Sequence, residues 1–437
     1  MLKKLVIKNY RSFGNIEFDL MKTHSKVKNI ALIYGENGAG KSSIISTIYF
    51  LKRSLNTLLH QESFNELVEN GSINICDEEM LKEFVRNRYF YLKNDIAMNK
   101  MIDSDSNMKL EYYFIINGND AYYSIEFDNE RIVSEELKYI LDKNTIEYFK
   151  INNDSIKLND SVFIDSKYKM ELIDKIKKMF GRHTFLSIFN NERIKNNLSF
   201  FNNKINNNIF NIYEEIEDYS VMCKYSNNDE GELSNKYNYL RNLDEGIVRE
   251  SDVNRITETE QILDTFFSTI YSDVKKAYYE TYKSNGKIKY KLYFSKIINN
   301  KLINIPYNYE STGTAKLLKI LPYLICYIKG HTVYIDEVDA GVHDLLMEYI
   351  INRLADLNKG QIVLTTHNTL LMQRMPSESL YVINIDMNGN KVLECITVNG
   401  RIQQKHNKTK KYLDGDFGGV PIPGYLDFEE MTRYHEV

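Results

Sequence analysis

The residues whose types and spacing most directly predict chemistry lie between Gly35 and Ser42. They read Gly-Glu-Asn-Gly-Ala-Gly-Lys-Ser, follow an apolar run at 29–34 and precede apolar residues at helical spacing. In a strand, loop and helix of this kind, the glycines let consecutive backbone N–H groups surround a phosphate at the positive end of the helix dipole. The pattern predicts a nucleoside triphosphate site formed by Gly35, Glu36, Asn37, Gly38, Ala39, Gly40, Lys41, Ser42 and Ser43.

Two side chains of this loop and two later acids have predicted catalytic or metal roles. Lys41 would reach the β/γ-phosphates, and the Ser42 hydroxyl would hold Mg²⁺. A second apolar run, at 333–335, ends in Asp336 and Glu337. We expect Asp336 to contact the Mg²⁺ beside Ser42, either directly or through one of its ligands, and Glu337 to act as the base for the attacking water. Alone, two acids after a strand are often a helix cap, so this expectation depends on the phosphate loop.

Two further segments carry groups suited to a phosphate. His367 follows the apolar residues of another predicted strand and could hydrogen-bond a γ-phosphate oxygen or the attacking water, although a lone histidine is usually structural or exposed. Ser311 and Gly313 stand at the start of an apolar helix, where backbone N–H groups and the helix dipole could meet another phosphate. The plain alternative is that Ser311 only caps that helix.

The elements that must position these residues are of two kinds. Alternation and turn residues predict an antiparallel β meander over 108–162, and helical spacing is present at 78–88. The C-terminal third alternates helices and strands, which predicts that the phosphate loop and these strands share one sheet. We therefore expect an α/β P-loop NTPase with an antiparallel β subdomain and an inserted helical arm. The expected division is an N-terminal part of the head at 1–190, the arm at 191–260 and a C-terminal part of the head at 261–437.

Composition excludes some classes of protein. The 437 residues are 43% hydrophobic with a net charge of −4, so a large core is expected and no global basic field indicates nucleic acid. Four separated cysteines without a C-x-x-C pair give no support for a zinc site or a disulfide framework. Neither the N-terminus nor the apolar helix at 317–328 predicts a membrane span. We expect a cytoplasmic protein with no membrane contact.

The motifs together resemble the ABC-type ATPase heads of the SMC, RecF and OLD group. They are the Walker A loop at Gly35 to Ser42, a signature-like segment at 310–314, Walker B at 334–337, the segment 339–343 and the switch residue His367. Their order covers both ends of the chain. The resemblance implies ATP and Mg²⁺ as ligands and ATP hydrolysis as the activity.

The resemblance also implies a dimer. In that group two heads join head to tail and enclose two ATP molecules, so Ser311 and Gly313 would contact the γ-phosphate held by the partner's Lys41. Arg11 would lie beside the nucleotide, and Asp339 would belong to the D-loop at the dimer interface. The expected assembly is a homodimer or a higher homo-oligomer through the ATP sites.

Departures from the group narrow the resemblance. The signature reads Ser-Thr-Gly-Thr in place of Ser-Gly-Gly-Gln, no Q-loop glutamine is assigned because Gln61 is too close to Walker A, and a long coiled coil is missing. The tail at 412–421 and the 9–13 segment look like the ATPase subunits of bacterial anti-phage and abortive-infection systems of the AbiL and RloA type. That likeness implies an ATPase that regulates or scaffolds a separate effector, a nuclease or a toxin. The alternatives are a DNA-repair ATPase of the RecF/SMC kind and an ATP-bound scaffold that hardly hydrolyses.

A basic run at 401–411 suggests a further partner. Five lysines and arginines with His406 precede Tyr412, which is typical of a solvated loop and also compatible with a DNA, RNA or effector contact. We do not expect a self-contained nuclease. OLD enzymes carry a TOPRIM domain whose glutamate and Asp-x-Asp pair hold metal ions, whereas the one candidate here is Asp386, and one acid cannot hold two metal ions.

Overall fold

The structure is a computed structural model that describes residues 1–23, 26–69, 92–225, 228–398, 400, 402, 407–421, 424 and 426–433. The helical stretch predicted at 78–88 lies outside these residues. The strands are β1 (Leu2–Tyr10), β2 (Phe13–Asp19), β3 (Met21–Thr23), β4 (Lys26–Val27), β5 (Ile30–Tyr34), β6 (Met108–Ile116), β7 (Asn119–Phe127), β8 (Ile132–Leu141), β9 (Asn144–Asn152), β10 (Ile156–Leu158), β11 (Ser220–Tyr225), β12 (Asn228–Glu232), β13 (Glu245–Arg249), β14 (Val274–Ser284), β15 (Lys287–Ile298), β16 (Lys301–Pro306), β17 (Thr332–Ile335), β18 (Gln361–Thr365), β19 (Leu380–Ile385) and β20 (Lys391–Cys395). The helices are α1 (Lys41–Ser54), α2 (Thr57–Glu69), α3 (Leu92–Asn99), α4 (Ser166–Met179), α5 (Phe185–Lys195), α6 (Leu198–Phe201), α7 (Asn208–Glu217), α8 (Val253–Ile270), α9 (Thr312–Ile328), α10 (Asp344–Leu357), α11 (Thr369–Arg374), α12 (Lys408–Leu413) and α13 (Phe428–Arg433).

The strand before the phosphate loop and the C-terminal strands form one sheet, as the sequence predicts. The order is β12-β11-β17-β18-β5-β19-β20, in which β11 to β19 run parallel and the two edge strands run antiparallel. Because neighbouring parallel strands end on the same side, the carboxyl ends of β17, β18 and β5 meet at one edge. Ligands of open α/β sheets bind at that edge.

The central sheet separates two hydrophobic cores. Along β5, Ala31 and Ile33 pack on one side with helix α1 and the antiparallel strands, whereas Ile30, Leu32 and Tyr34 pack on the other side with α9 and α10. Since side chains of a strand alternate between faces, a strand buried on both faces is apolar throughout. This explains why all five residues of β5 are buried.

The predicted antiparallel meander is confirmed and is extended by the first two strands. Its seven strands follow the order β10-β9-β8-β7-β6-β1-β2, and every pair is antiparallel. The hydroxyl of Tyr10, at the end of β1, lies 3.0 Å from Ser46 Oγ on α1. The turn between β1 and β2 is thereby held beside the phosphate loop.

The segment predicted as an inserted helical arm, 191–260, is helical only in part. Helices α6 and α7 lie within it, but β11 and β12 then form one edge of the central sheet, with β11 parallel to β17. The prediction of an arm was wrong here because β11 is short and its pairing partner lies about a hundred residues later. Local periodicity does not show such a partner.

A separate antiparallel sheet leads into the signature segment. Strand β15 pairs with β14 on one side and with β13 and β16 on the other. Lys296 of β15 donates to Glu310 Oε2 at 2.7 Å, and the Glu310 side chain is only 4% exposed. This pair anchors the residue immediately before Ser311. No helix in the described part of the chain has the length and apolar character needed to cross a membrane.

Candidate active site

The phosphate loop connects β5 to α1 through glycines whose backbone conformations other residues rarely adopt. Gly35, Gly38 and Gly40 have φ values of 151°, 80° and 106°. A Cβ on Gly40 would also lie 2.6 Å from the Phe13 ring. Both observations require glycine at this helix start, where the first N–H groups of α1 create a site for an anion. Of the other predicted loop residues, the structure places Glu36 and Ser42 half-buried, Asn37 exposed, and Ala39 and Ser43 buried.

Lys41 is held inside this loop. Its Nζ donates to the carbonyl oxygens of Gly35 at 2.7 Å and Glu36 at 3.0 Å. Burial lowers the pKa of Lys41, and the carboxylates of Asp336 and Glu337 oppose that shift. The lysine is therefore within electrostatic reach of the acid pair.

Asp336 has the geometry of a cation ligand. It is buried, its Oδ1 accepts a hydrogen bond from Thr365 Oγ1 at 2.6 Å, and its Oδ2 has no hydrogen-bond partner in the described part of the chain. A buried carboxylate oxygen without a partner is costly unless a cation binds to it. The buried carboxylate of Asp336 therefore fits a divalent cation at this position.

Glu337 lies beside Asp336 in an unusual backbone conformation. Its φ is 46°, and its backbone N–H donates to Thr365 Oγ1 at 2.8 Å. Its Oε2 accepts from Lys224 of β11 at 2.7 Å, a contact that raises the pKa of Lys224. A non-glycine residue in the left-handed region stores backbone strain.

Thr365 therefore orients both acids, a role that the sequence analysis did not assign to it. Replacing it by valine should leave Asp336 Oδ1 and the Glu337 N–H without partners and should lower the free energy of unfolding by about 1–3 kcal/mol. Urea denaturation measures this loss. Thr365→Ser is the matched control, because it keeps the hydroxyl and should retain most of the stability. A free energy of unfolding that is unchanged in Thr365→Val would show that the two hydrogen bonds of this hydroxyl add no stability.

His367 follows β18 and joins the same group. Its backbone N–H donates to Asp339 Oδ2 at 3.1 Å. Burial and the nearby Lys41 charge lower the pKa of His367, while Asp339 and the acid pair oppose the shift. The imidazole is therefore biased toward its neutral form near pH 7, in which one ring nitrogen donates and the other accepts.

The signature segment lies close to the residues after Walker B. Ser311 caps α9 by accepting from the Thr314 N–H at 3.2 Å, so the plain capping role is present. A Cβ on Gly313 would lie 2.8 Å from the carbonyl oxygen of Gly341. Gly313 therefore packs directly on the predicted D-loop, while Ser311 is exposed.

A comparison with known protein families finds a match over most of this chain. Residues 30–373 match the family described as "AAA domain, putative AbiEii toxin, Type IV TA system". The chain belongs to this AAA family. It is thus an AAA-type ATPase, and its parallel sheet and phosphate loop are those of a P-loop NTPase.

Two curated proteins resemble this AAA domain along most of its length. Endonuclease GajA of Bacillus cereus is 24% identical over 442 residues, covering 85% of this chain and 58% of GajA. An ATP/GTP phosphatase of Helicobacter pylori is 22% identical over 383 residues, covering 84% of this chain and 85% of that protein. The AAA domain therefore spans somewhat more than half the length of GajA.

Solved structures with a similar arrangement include two SMC heads. The SMC head domain from Thermotoga maritima aligns with a TM-score of 0.37 and 15% identity, covering 91% of this chain and 99% of the other. An SMC head bound to the C-terminal winged-helix domain of ScpA aligns with a TM-score of 0.42 and 11% identity, covering 90% and 96%. The fold assignment therefore depends on the strand order and the phosphate loop described above.

Within the described residues, the side chain of Arg11 contacts α3 and β11 and forms no hydrogen bond to the phosphate loop. Its Nε donates to Asn99 Oδ1 at 2.8 Å, and its guanidinium lies over the Tyr225 ring. The next residue, Ser12, is the one linked to the loop. Lys391 donates to Ser12 Oγ at 2.8 Å and to the Gly38 carbonyl oxygen at 2.6 Å. Lys391 was missed because its strand and the loop are far apart in the sequence.

The C-terminal tail also packs on the phosphate loop. A Cβ on Gly419 would lie 3.4 Å from Gly35 Cα and 2.3 Å from a methyl group of Val382. Tyr412 donates to the Gly419 carbonyl oxygen at 2.9 Å, and its ring contacts that of Tyr34. The tail at 412–421 therefore packs against the phosphate loop on the side of β19.

Two other sequence expectations are resolved differently. Gln61 Oε1 accepts a hydrogen bond from His183 Nε2 at 2.7 Å, which gives Gln61 a structural role on α2. In the basic run, Arg401, Lys405 and His406 lie outside the described residues. The described lysines include Lys408, which is buried and bonded to the Met375 carbonyl oxygen, so it is not available to a phosphate backbone.

Proposed function

We propose that this protein binds ATP with Mg²⁺ at the phosphate loop and hydrolyses it. The unpartnered Oδ2 of Asp336 and the Ser42 hydroxyl are the groups that would hold the metal ion. When bound, Mg²⁺ would neutralise charge on the phosphate oxygens. Lys41 would move from the loop carbonyls to the β/γ-phosphates, which are the stronger acceptors.

In the proposed reaction, water attacks the γ-phosphorus and the bond to the β–γ bridging oxygen breaks, which yields ADP and phosphate. Lys224 holds Glu337 Oε2, which leaves Oε1 as the oxygen that would receive the proton of the attacking water. His367, biased toward its neutral form, would hydrogen-bond the γ-phosphate or the water. Thr365 keeps Glu337 in place throughout.

The observation that carries the proposal is the bridge made by one hydroxyl. Thr365 Oγ1 donates to Asp336 and accepts from the Glu337 N–H, and both acids act on the pKa of Lys41. A metal-binding carboxylate, a base and a phosphate-binding lysine are the groups that phosphoryl transfer to water requires. A helix cap alone would not require the acids to face the loop lysine.

We further propose that two copies complete the site. Ser311 is exposed and Gly313 packs on Gly341 of the D-loop segment, so the signature and Asp339 lie on a connected surface. In a head-to-tail dimer, Ser311 and Gly313 of one copy would close over the γ-phosphate held by the other. The head would then consist of 1–190 and 261–437, with 191–260 contributing strands to its central sheet.

The biological role that we propose is regulation of a separate effector, a nuclease or a toxin, in bacterial anti-phage defence. The family description names a toxin of a type IV system, and one relative is named an endonuclease. ATP-driven dimerisation would gate or scaffold that effector. The RecF/SMC-like repair ATPase and the weakly hydrolysing scaffold remain the alternatives.

The concentration dependence of turnover tests the composite site. If two copies complete each site, phosphate release per protomer should rise with protein concentration and level off where light scattering shows a complete dimer. The measurement is made at saturating ATP and Mg²⁺. Full turnover by a strict monomer would overturn the dimer proposal but not ATP hydrolysis itself.

A further inference from the structure

The sheet formed by β13 to β16 presents one face to the core and one to the outside. Leu292 and Phe294 of β15 are buried with Leu263 and Phe267 of α8. The alternate residues of β15 therefore point away from that core. This outward face is not needed for the ATP site described above.

The outward face is unusually basic for this chain. Arg249 of β13 lies opposite Lys287 of β15, and the acidic residues Glu245 and Glu280 both lie opposite Lys291, so cations outnumber acids on the face of a chain whose net charge is −4. Lys287, Lys289 and Lys291 alternate along β15, and none of them forms an ion pair within the described residues. They follow one another at about 6.8 Å, twice the rise of a strand residue.

Aromatic rings are interleaved with these lysines. Tyr278 of β14 is directly opposite Tyr293 of β15, and their rings stack with centroids 5.8 Å apart. Tyr282 pairs with Lys289 in the same register and is 64% exposed. The face thus combines a row of cations with a platform of tyrosine rings.

We propose that this face, defined by Tyr278, Tyr282, Lys287, Lys289, Lys291 and Tyr293, binds single-stranded nucleic acid. Lysines neutralise the phosphate backbone, and exposed rings stack on unpaired bases. The bases of a duplex are already stacked on one another, so they are not free to stack on these tyrosine rings. The chemistry is shared by single-stranded DNA and single-stranded RNA.

Fluorescence anisotropy of the full chain with labelled oligonucleotides of about 20 residues tests the proposal. The probes are oligo-dT, oligo-U and a mixed-sequence DNA duplex, each titrated at several salt concentrations. We expect either single strand to bind at least tenfold tighter than the duplex. The tighter of the two single strands shows whether the natural ligand is DNA or RNA. Equal or tighter duplex binding overturns the proposal.

Variants separate the two contributions. Replacing Lys287, Lys289 and Lys291 by glutamine should reduce the slope of log K against log salt by about 2, because each lost phosphate contact removes about 0.7. The matched control replaces Lys167, Lys177 and Lys178 by glutamine. These three exposed lysines lie on α4, outside this face, so the slope should be unchanged. An equal decrease in both variants would overturn the assignment to this face.

Tyrosine variants give an independent readout. Replacing Tyr278 and Tyr293 by serine should weaken single-strand binding about tenfold and leave the salt slope unchanged, because stacking releases no counterions. Tyr349→Ser, at an exposed tyrosine of α10, is the control and should bind as the wild type does. Unchanged affinity of the double variant would overturn the stacking role. ATP turnover, measured in parallel, should be unaffected in all these variants.

Discussion

Glu337→Gln should lower ATP turnover by about 100-fold or more while ATP binding is retained. The amide keeps the size of the side chain and its hydrogen-bond acceptor toward Lys224, but it cannot accept the proton of the attacking water. With hydrolysis blocked, the ATP-bound dimer should accumulate. Phosphate release measures the first effect, and light scattering with and without ATP measures the second.

The control for this variant is Glu171→Gln, which makes the same chemical change at an exposed position of α4. It should turn over ATP at the wild-type rate. If Glu337→Gln also turned over ATP normally, Glu337 would not be the base. A protein that hardly hydrolyses ATP in its wild-type form, and whose assembly the variant barely changes, would instead support the scaffold alternative.

A mixture of two inactive variants should recover part of the activity. Lys41→Ala removes the lysine of the loop, and Ser311→Arg blocks the signature. In a symmetric head-to-tail dimer, each heterodimer contains one site with an intact loop facing an intact signature. If subunits exchange randomly and the sites act independently, an equal mixture should show about a quarter of wild-type turnover.

The matched control mixes Lys41→Ala with Glu337→Gln. Both substitutions damage the groups that one copy supplies to its own site, so neither site of that heterodimer is complete. This mixture should stay inactive at every ratio. Recovery in the control mixture, or none in the first mixture, would contradict the assignment of Ser311 to the neighbouring copy's nucleotide.

The proposals on hydrolysis and on nucleic acid are separable. The catalytic groups lie at the carboxyl edge of the central sheet, whereas the lysine and tyrosine face lies on the sheet of β13 to β16. A protein that hydrolyses ATP without binding single strands would retain the first proposal alone. If both hold, nucleic acid would bind to the sheet that leads directly into the signature through Glu310.

The sequence by itself determined the contiguous parts of the site. The phosphate loop is recognisable because its glycines, Lys41 and Ser42 act through backbone conformations and a helix start that neighbouring residues create. The strands that end at Asp336 and Thr365 are likewise short, apolar and bounded by turn residues. Their membership of one sheet with β5 was predicted from the alternation of helices and strands in the C-terminal third.

Only the tertiary structure decided which distant residues support this site. The bridge from Thr365 to the acid pair, the contact of Lys224 with Glu337 and the link of Lys391 to Gly38 each join separate strands. The placement of β11 in the central sheet, where an arm was predicted, likewise depends on pairing with a strand far away in the sequence. Such contacts depend on strand order, which sets distances between residues far apart in the chain and leaves no local periodicity to read.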